Sequence, residues 1–349
     1  MESVLFIVIV GVLCGADGFV QIEQIAKVRR RFIERFVALP AGIPTHDTLT
    51  RVFRTLDPQQ FRRAFVEFIA AVTKAPLEEV IGIDGKTLRG ALNRSAELSA
   101  MAEDQVHVVS ACSKQRGIVL AQLRSAAKAN ENKAARELLE ILDVKGAIVT
   151  MDAAHCQIAT INLAVERGAH LIVGLKNNQK NLLKAVTALM EKTPADHVVE
   201  TNEKNHGRQA HRRYEVFVAT SVTAGGPFAA IASVTRVTRT TTTRGRTSTN
   251  VAFYASTLAA SARLADLIRD RWGIENSLHY CLDVAFDEDG CRVRTGHAAE
   301  NLSRVRHLAL SLMKLAGGPT VGLATRRLIA MGDDEYLTRI LRLGHMRSP

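Results

Sequence analysis

The sequence predicts an α/β protein with an all-helical N-terminal segment and a β-rich insertion late in the chain. Three observations predict this class. Residues 1 to about 75 have helical periodicity, and from residue 78 short apolar strands alternate with helical stretches. Residues 195 to about 257 break that alternation with short β-like runs rich in Thr, Gly and Arg. We therefore expect a helical domain over 1–75 and an α/β domain over 76–349 that contains the insertion.

The N-terminal segment starts with an apolar run from Val4 to Ala16, which Asp17 ends. This run is shorter than the roughly 20 residues that cross a bilayer, so we predict a buried helix and no membrane association. Thr45 is a predicted helix N-cap, and Asp57 followed by Pro58 starts another helix. Two short helices joined by a tight turn suit a DNA-reading helix-turn-helix or a plain packing module. We favour the packing module because no base-reading face stands out.

The strand order of the α/β region predicts its core. One apolar strand begins at Val80 and ends at Asp84, and a second ends at Asp152. The remaining predicted elements are a hairpin (105–112 and 118–124), helices over 131–142, 155–167 and 179–190, and a strand over 170–175. This is the order of a ribonuclease-H-like core, in which strand-end carboxylates meet at one edge of the sheet. We therefore expect Asp84 and Asp152 on neighbouring central strands.

A third carboxylate is predicted on a helix that runs from Ser261 through Phe286. Trp272, Glu275, His279 and Asp283 recur there at spacings of three and four, so they share one face. Together with Asp84 and Asp152, Glu275 would form a cluster able to hold two divalent cations, and Mg²⁺ is the usual ion beside phosphates.

Asp283 and the acidic loop at 287–289 compete with Glu275 for this role. We favour Glu275 because Arg271 and Trp272 supply a phosphate contact and a base-stacking ring beside it. Near Asp84, the cations Lys86 and Arg89 also suit phosphates.

The charge of the chain indicates an anionic partner. Lys and Arg number 46 against 35 Asp and Glu, so the formal net charge is +11. A chain this basic with few aromatic residues favours nucleic acid as partner. Between residues 200 and 250 the net charge is +5, and we expect phosphate contacts in this insertion from Arg208, Arg212, Arg213, Arg244 and Arg246. The alternative is that these charges form only a solvated face.

Five scattered cysteines contain no CxxC pair and no zinc-ligand spacing. An odd number without pairing indicates reduced thiols, so we expect a cytoplasmic protein.

At this point the sequence resembles a known family, the H-repeat-associated insertion-sequence transposases, which are DDE enzymes with a ribonuclease-H-like fold. The resemblance runs from about Val4 to Leu343, and its matching pieces include GIPTHDTLTRVFRTLDP, IGIDGKTLRGA, VTMDAAHCQ, LIVGLKNNQ and RWGIENSLHYCLDVAFDED. It implies that Asp84, Asp152 and Glu275 are the DDE triad and hold Mg²⁺, with Mn²⁺ as a substitute. It further implies that the partner is DNA, both the terminal inverted repeats of the element and the target DNA. It also implies that the protein binds DNA as a homodimer and that it is located at the bacterial nucleoid.

The sequence departs from the family pattern in two places. Related enzymes carry a Tyr and a Lys around the Glu, where this chain has Ile268 and Leu282. We expect His279, or Lys176 together with Asn178 of the LKNNQ stretch, to contact phosphate instead. The family's usual lead-in before the first helix is also missing, so a truncated, inactive copy that only binds DNA is the alternative hypothesis. A stand-alone nuclease is a third.

Overall fold

The computed structural model describes residues 1–73, 79–88, 106–125, 130–205, 208–271 and 278–342. The protein is a mixed α/β structure, and its described residues contain fourteen α-helices and nine strands. The chain divides into two compact units. The first unit comprises Met1–Ala75, Gly85–Ala134 and Ile274–Pro349, and the second comprises Pro76–Asp84 and Ala135–Gly273.

The elements follow one another in this order. Five helices open the chain: α1 (Glu2–Leu13), α2 (Phe19–Val28), α3 (Arg30–Ile33), α4 (His46–Thr55) and α5 (Pro58–Val72). The middle contains β1 (Val80–Thr87), β2 (His107–Ser113), β3 (Ile118–Ser125), α6 (Glu131–Ile141), β4 (Ile148–Met151), α7 (Ile158–Glu166), β5 (His170–Leu175) and α8 (Lys180–Lys192). The remainder contains β6 (His197–Asn205), β7 (Arg208–Val218), α9 (Thr220–Thr223), β8 (Ser233–Thr243), β9 (Arg246–Ser256), α10 (Arg263–Arg271), α11 (Tyr280–Phe286), α12 (Ala298–Leu315), α13 (Leu323–Gly332) and α14 (Asp334–Arg342).

The first unit is packed around α12, in which every residue from Ala298 to Met313 is buried. A helix buried on all sides needs partners for its polar groups, because an unpaired buried polar group costs about 1–3 kcal/mol. Asn301 donates its amide to the carbonyls of Phe53 and Leu56 at 3.1 and 2.9 Å. Arg306 donates to the carbonyl of Asp17 at 2.7 Å.

The predicted starts of α4 and α5 are confirmed. The Thr45 hydroxyl accepts from the Thr48 N–H, and the Asp57 carboxylate accepts from the N–H groups of Gln59 and Gln60. The Gln60 side-chain amide donates to the Asp57 carboxylate and does not accept from the Asp57 N–H, so only half of a capping box is present. The apolar helix α1 is buried from Ile7 to Leu13 apart from Ile9. In the described parts of the chain, no helix is both long and apolar enough to cross a membrane.

The second unit is a large mixed sheet whose strands lie in the order β1-β4-β5-β9-β8-β7-β6. Strands β1, β4 and β5 are parallel, and β9, β8, β7 and β6 continue the sheet in antiparallel orientation. The β4 residues are all buried, as expected for a short apolar strand with neighbours on both sides.

The stretch predicted as a β-rich insertion, 195 to about 257, contributes β6 to β9 to this sheet, and β9 pairs with β5 from Phe253 to Ser256. Two helix boundaries also differ from prediction. The helix predicted to start near His155 starts at Ile158, since Ala153–His155 form a 3-10 turn. The long helix predicted from Ser261 to Phe286 is described as α10 and α11, and residues 272–277 lie outside the described parts.

Candidate active site

Strands β1 and β4 bring two carboxylates to one edge of the sheet in the second unit. The parallel register pairs Gly82 with Thr150 and Ile83 with Met151. Asp84 follows Ile83 within β1, which continues to Thr87 and not only to Asp84 as predicted, and Asp152 is the first residue after β4. Neighbouring strands lie about 4.8 Å apart. The prediction that these two strands are neighbours is confirmed. The catalytic role of the two residues stays a prediction.

Asp152 is held at the point where β4 ends. Its Oδ1 accepts from the N–H of Ala154 at 2.9 Å, which caps the 3-10 turn Ala153–His155. The Nε2 of the fully buried His155 lies 3.7 Å from the same oxygen. The Asp152 side chain is still 44% exposed, so the carboxylate is both oriented by the turn and accessible to a ligand.

The turn after Asp152 is supported by residues that follow β5. Asn178 donates its side-chain amide to the Ala153 carbonyl, and Gln179 donates to the Cys156 carbonyl, both at 2.7 Å. Gly174 of β5 lies directly beneath the turn, and a Cβ there would be 3.0 Å from the Ala153 nitrogen. The side-chain amide of Asn178, a residue predicted to contact DNA, therefore donates to the backbone beside Asp152. This hydrogen bond positions the turn.

Cys156 lies in the same turn but is not suited to chemistry. Burial raises the pKa of its thiol to about 11, so the thiol is protonated at neutral pH. A protonated thiol is neither a nucleophile nor a metal ligand.

Three predicted site residues cannot be placed: Arg89, Trp272 and Glu275 lie outside the described residues. Arg271, the last residue of α10, stacks its guanidinium over the ring of Tyr254, 5.6 Å from the ring centre. Lys176 directly follows β5 and is exposed, as a phosphate contact requires.

In the first unit, Lys86 lies among acidic side chains. It donates to Asp283, and its Nζ is 3.2 Å from Glu288 and 3.6 Å from Asp289. Burial works against its charge, but Glu288 and Asp283 raise the pKa of Lys86, so it remains a cation. The Lys86 side chain is only 11% exposed, and a phosphate would have to compete with these three carboxylates for it.

Glu288 is the most buried member of this acidic cluster (Asp283, Glu288 and Asp289), and no local sequence pattern predicts its burial. The side chain is 0% exposed, and Ser303 donates to it at 2.8 Å. Burial disfavours its charge, yet His307, Lys86 and Arg306 together hold its pKa well below the ordinary value. Asp283 and Glu288 are therefore partners of Lys86. This contact makes them less suited than Glu275 to be the third metal-binding carboxylate.

His279 also belongs to the first unit. Burial, followed by the charge of Lys86, lowers its pKa from 6.5 to about 4. His279 is therefore a neutral imidazole at neutral pH, and it would meet a phosphate without a positive charge.

Strands β6 to β9 form a ribbon that extends past the edge of the sheet where Asp152 lies. Phe253 of β9 is opposite Leu175, the last residue of β5. The seven residues from Arg246 to Ala252 therefore project about 24 Å beyond β5, at roughly 3.4 Å per residue. The exposed residues Arg208, Arg244 and Arg246 lie at the tip of this ribbon.

Two other predicted DNA contacts lie further down the ribbon in ion pairs. Arg212 Nη1 is 2.9 Å from Glu203, and Arg213 Nη1 is 2.5 Å from Glu200. Arg213 is 44% exposed whereas Arg212 is 11% exposed, so the two neighbours face different environments.

The chain matches the models of a known protein family. Residues 75–312 match the family model described as "Transposase DDE domain", and residues 1–69 match the model described as "DDE_Tnp_1-associated". The chain belongs to the DDE transposase family. This confirms the resemblance found in the sequence, and the protein is an insertion-sequence transposase, an enzyme that acts on DNA. The decayed, DNA-binding copy is not favoured by these matches.

The chain is also similar in sequence to proteins that are named as transposases. The transposase is 30% identical to the "H repeat-associated putative transposase YhhI" of Escherichia coli K12, over 98% of this chain and 92% of the relative. It is 31% identical to the "Putative transposase YncI" of Escherichia coli O157:H7, over 90% of this chain and 82% of the relative. A synaptic complex of piggyBac transposase with hairpin DNA has a TM-score of 0.48 and 9% identity, covering 99% of this chain and 72% of that chain. A likeness of that size does not establish a shared fold.

Membership of the DDE transposase family implies dependence on a divalent metal ion. Among the described residues, no group of three or more His, Cys, Asp and Glu side chains is arranged to hold one. The donor chemistry of the Asp84–Asp152 edge nevertheless fits, since hard divalent cations take carboxylate oxygens and Asp152 is accessible.

Sequence reasoning missed Gly174 as a site residue, although a signal was present. A glycine inside the apolar strand HLIVGL indicates a close approach of another backbone. That backbone is the turn after Asp152.

Proposed function

We propose that this transposase cleaves and joins DNA strands at the ends of its element by metal-dependent phosphoryl transfer on Asp84 and Asp152. The observation that supports this most is the register of β1 and β4, in which Ile83 pairs with Met151 and each of these two residues is followed by an aspartate. Glu275 is proposed as the third carboxylate on the basis of the sequence motif that contains it.

Asp84, Asp152 and Glu275 would hold Mg²⁺, with Mn²⁺ as a substitute. Bound divalent ions supply activation of the attacking oxygen and stabilisation of the leaving oxygen in an in-line displacement on phosphorus. The protein's own part is positioning. The N–H of Ala154 fixes Oδ1 of Asp152, and Asn178 fixes the turn that carries that N–H. No covalent enzyme–DNA intermediate is expected, because the attacking group is water or a 3′-hydroxyl.

We propose a ribonuclease-H-like core for the catalytic part. In its favour, the chain runs through β1, an antiparallel hairpin of β2 and β3, and then parallel β4 and β5 separated by helices. We further propose that 1–75 is an accessory helical domain and 76–349 the catalytic domain, with four of its strands forming the ribbon.

The ribbon is proposed to hold DNA beside the reacting strand. It extends past the edge that carries Asp152, and its tip residues Arg208, Arg244 and Arg246 are exposed cations. Terminal inverted repeats and target DNA are the proposed ligands. Since an element has two ends that must meet, we propose a homodimer on DNA, with symmetry matching the paired ends. The place of action is proposed as the bacterial cytoplasm, at the nucleoid.

The test is a cleavage and joining reaction with purified protein. The substrate is duplex DNA carrying the sequence found at both boundaries of the element, with an equal-length scrambled duplex as control. The proposal expects Mg²⁺-dependent nicking at the boundary, followed by joining to a target, and neither reaction on the scrambled duplex. Specific binding without nicking in Mg²⁺ or Mn²⁺ would indicate an inactive copy. Nicking of both duplexes without joining would indicate a nuclease.

A further inference from the structure

A small cavity lies on one face of the ribbon, in the second unit, where α10 packs against it. Its volume is about 50 Å³, and its lining residues come from β7, β8, β9 and α10. The register places Arg212 opposite Arg239, and Tyr214 opposite Val237. Residues directly opposite on antiparallel strands share a face, so the two arginines project together above an aromatic and aliphatic floor.

Three guanidinium groups line this cavity, which we name the arginine pocket (Arg212, Arg239 and Arg269). Arg208 lies further along β7, and its charge also acts on Arg239. Glu203 is the acidic residue among them. It lies 2.9 Å from Arg212, and it accepts from Nε and Nη2 of Arg269 at 2.7 and 2.9 Å. Among the described lining residues and Glu203, three guanidinium groups therefore share the charge of one carboxylate, which also acts on Arg239.

The same excess of charge acts on Arg239. Its pKa is lowered by burial and then by the neighbouring charges of Arg208, Arg212 and Arg269, while Glu203 opposes them. Guanidinium groups do not lose their proton in proteins, so the repulsion remains as an unfavourable energy in the unliganded pocket. An anion bound here would relieve it.

We propose that the arginine pocket binds a single phosphate group of a DNA strand. The planar fork of Arg matches phosphate oxygens with two parallel hydrogen bonds, which a lysine cannot provide. The cavity of about 50 Å³ has room for a small polar or anionic group beside the three guanidinium groups.

The choice of DNA as the source of the phosphate rests on the proposed function. Arg208 joins the pocket to the exposed tip of the ribbon, so a strand lying along the ribbon would pass over the cavity. Arg239 of β8 and Arg269 of α10 add two contacts that local charge patterns in the sequence did not indicate.

The experiment compares Arg239→Gln with Arg236→Gln. Arg236 lies on the same strand, three residues away and on the opposite face, and forms two hydrogen bonds with Glu215 at 2.7 and 2.8 Å. Pyrophosphate binding is measured by calorimetry, and the salt dependence of binding to a 20-base-pair duplex by fluorescence anisotropy. Both are measured in EDTA, so neither depends on catalysis. Thermal unfolding of both variants verifies that they are folded.

We expect Arg239→Gln to weaken pyrophosphate binding at least tenfold and to reduce the log–log salt slope for DNA by about 0.9. Arg236→Gln should change affinity less than twofold. Arg239→Lys, which keeps the charge and folds with the least disturbance, should recover only part of the binding. Equal behaviour of Arg239→Gln and Arg236→Gln would overturn the site. Loss of pyrophosphate binding with an unchanged DNA slope would overturn DNA as the ligand. An Asp84→Asn protein must bind pyrophosphate like the wild type, which separates this inference from the proposed catalysis.

Discussion

Asp84 and Asp152 directly follow Ile83 and Met151, which are register partners on two parallel, neighbouring strands. The apolar residues before each Asp are buried and fix both strands, so the positions of the two carboxylates depend on the packed sheet and not on a loop. A site built on strands is held more closely than one built on loops, which suits a reaction that depends on positioning.

Gly174→Ala tests whether the turn after Asp152 needs its close approach to β5. The new Cβ would lie 3.0 Å from the Ala153 nitrogen, a backbone atom that cannot rotate away. We expect a loss of about 1–3 kcal/mol in the free energy of unfolding and a lower cleavage rate. The control is Gly332→Ala, where a Cβ meets nothing within 4 Å, and which should stabilise by up to about 1 kcal/mol. Urea denaturation measures both. An unchanged midpoint for Gly174→Ala would show that the turn moves at no cost.

Lys176 and Asn178 are two residues apart and are expected to act differently. Lys176→Gln should reduce the salt slope of DNA binding by about 0.9, because it removes one exposed cation. Asn178→Ala should leave that slope unchanged and lower the cleavage rate, because Ala153 loses its donor at 2.7 Å. The expected stability loss for Asn178→Ala is about 1 kcal/mol. A fall in DNA affinity for Asn178→Ala at constant salt, as large as that for Lys176→Gln, would instead assign it the phosphate contact predicted from the sequence.

The tip of the ribbon is expected to carry phosphate contacts. The double variant Arg244→Gln with Arg246→Gln should weaken duplex binding and reduce the log–log salt slope by up to about 2. The matched control is Lys145→Gln with Arg167→Gln, two exposed cations at the opposite end of β4 and β5. If both doubles lower the slope equally, the charge of the ribbon acts only through the net charge of the protein.

His279 makes stability depend on pH. Its pKa is about 4 in the folded protein and 6.5 as the ordinary value, so between these limits the unfolded chain binds more protons. Stability should therefore fall as the pH drops from about 6.5 to 4, by at most about 3 kcal/mol from this residue. The depressed pKa of Glu288 adds a loss in the same direction, at pH values below 4.5. Denaturation of His279→Gln at pH 7 and pH 5 should show a smaller difference than wild type.

The elements that could be predicted are those whose cause is local. Val80–Ile83 and Ile148–Met151 are short apolar runs, and Thr45 and Asp57 are caps whose partners lie two or three residues away. The adjacency of Asp84 and Asp152 followed from the order of such elements.

Features that depend on distant partners could not be predicted. The buried Arg327 donates to the carbonyls of Val12 and Ala16 and pairs with Asp17, more than 300 residues away. Lys86 meets its carboxylates about 200 residues later. No local pattern indicates such pairs, and so the burial of Glu288 and the convergence of Arg239 with Arg269 were not foreseen.

The most direct test of the account is metal-dependent cleavage by Asp84→Asn and Asp152→Asn, with Asp143→Asn as the matched control. Asp143 is an exposed acidic residue that precedes the start of β4, whereas Asp152 follows the end of that strand. Cleavage rates are measured over a titration of Mg²⁺ and then of Mn²⁺, and binding to element ends is measured in parallel. We predict that each site variant loses at least about a thousandfold in rate, with end binding unchanged within about twofold. The control should cleave like the wild type. Cleavage at the wild-type rate by either Asp84→Asn or Asp152→Asn would contradict the central claim.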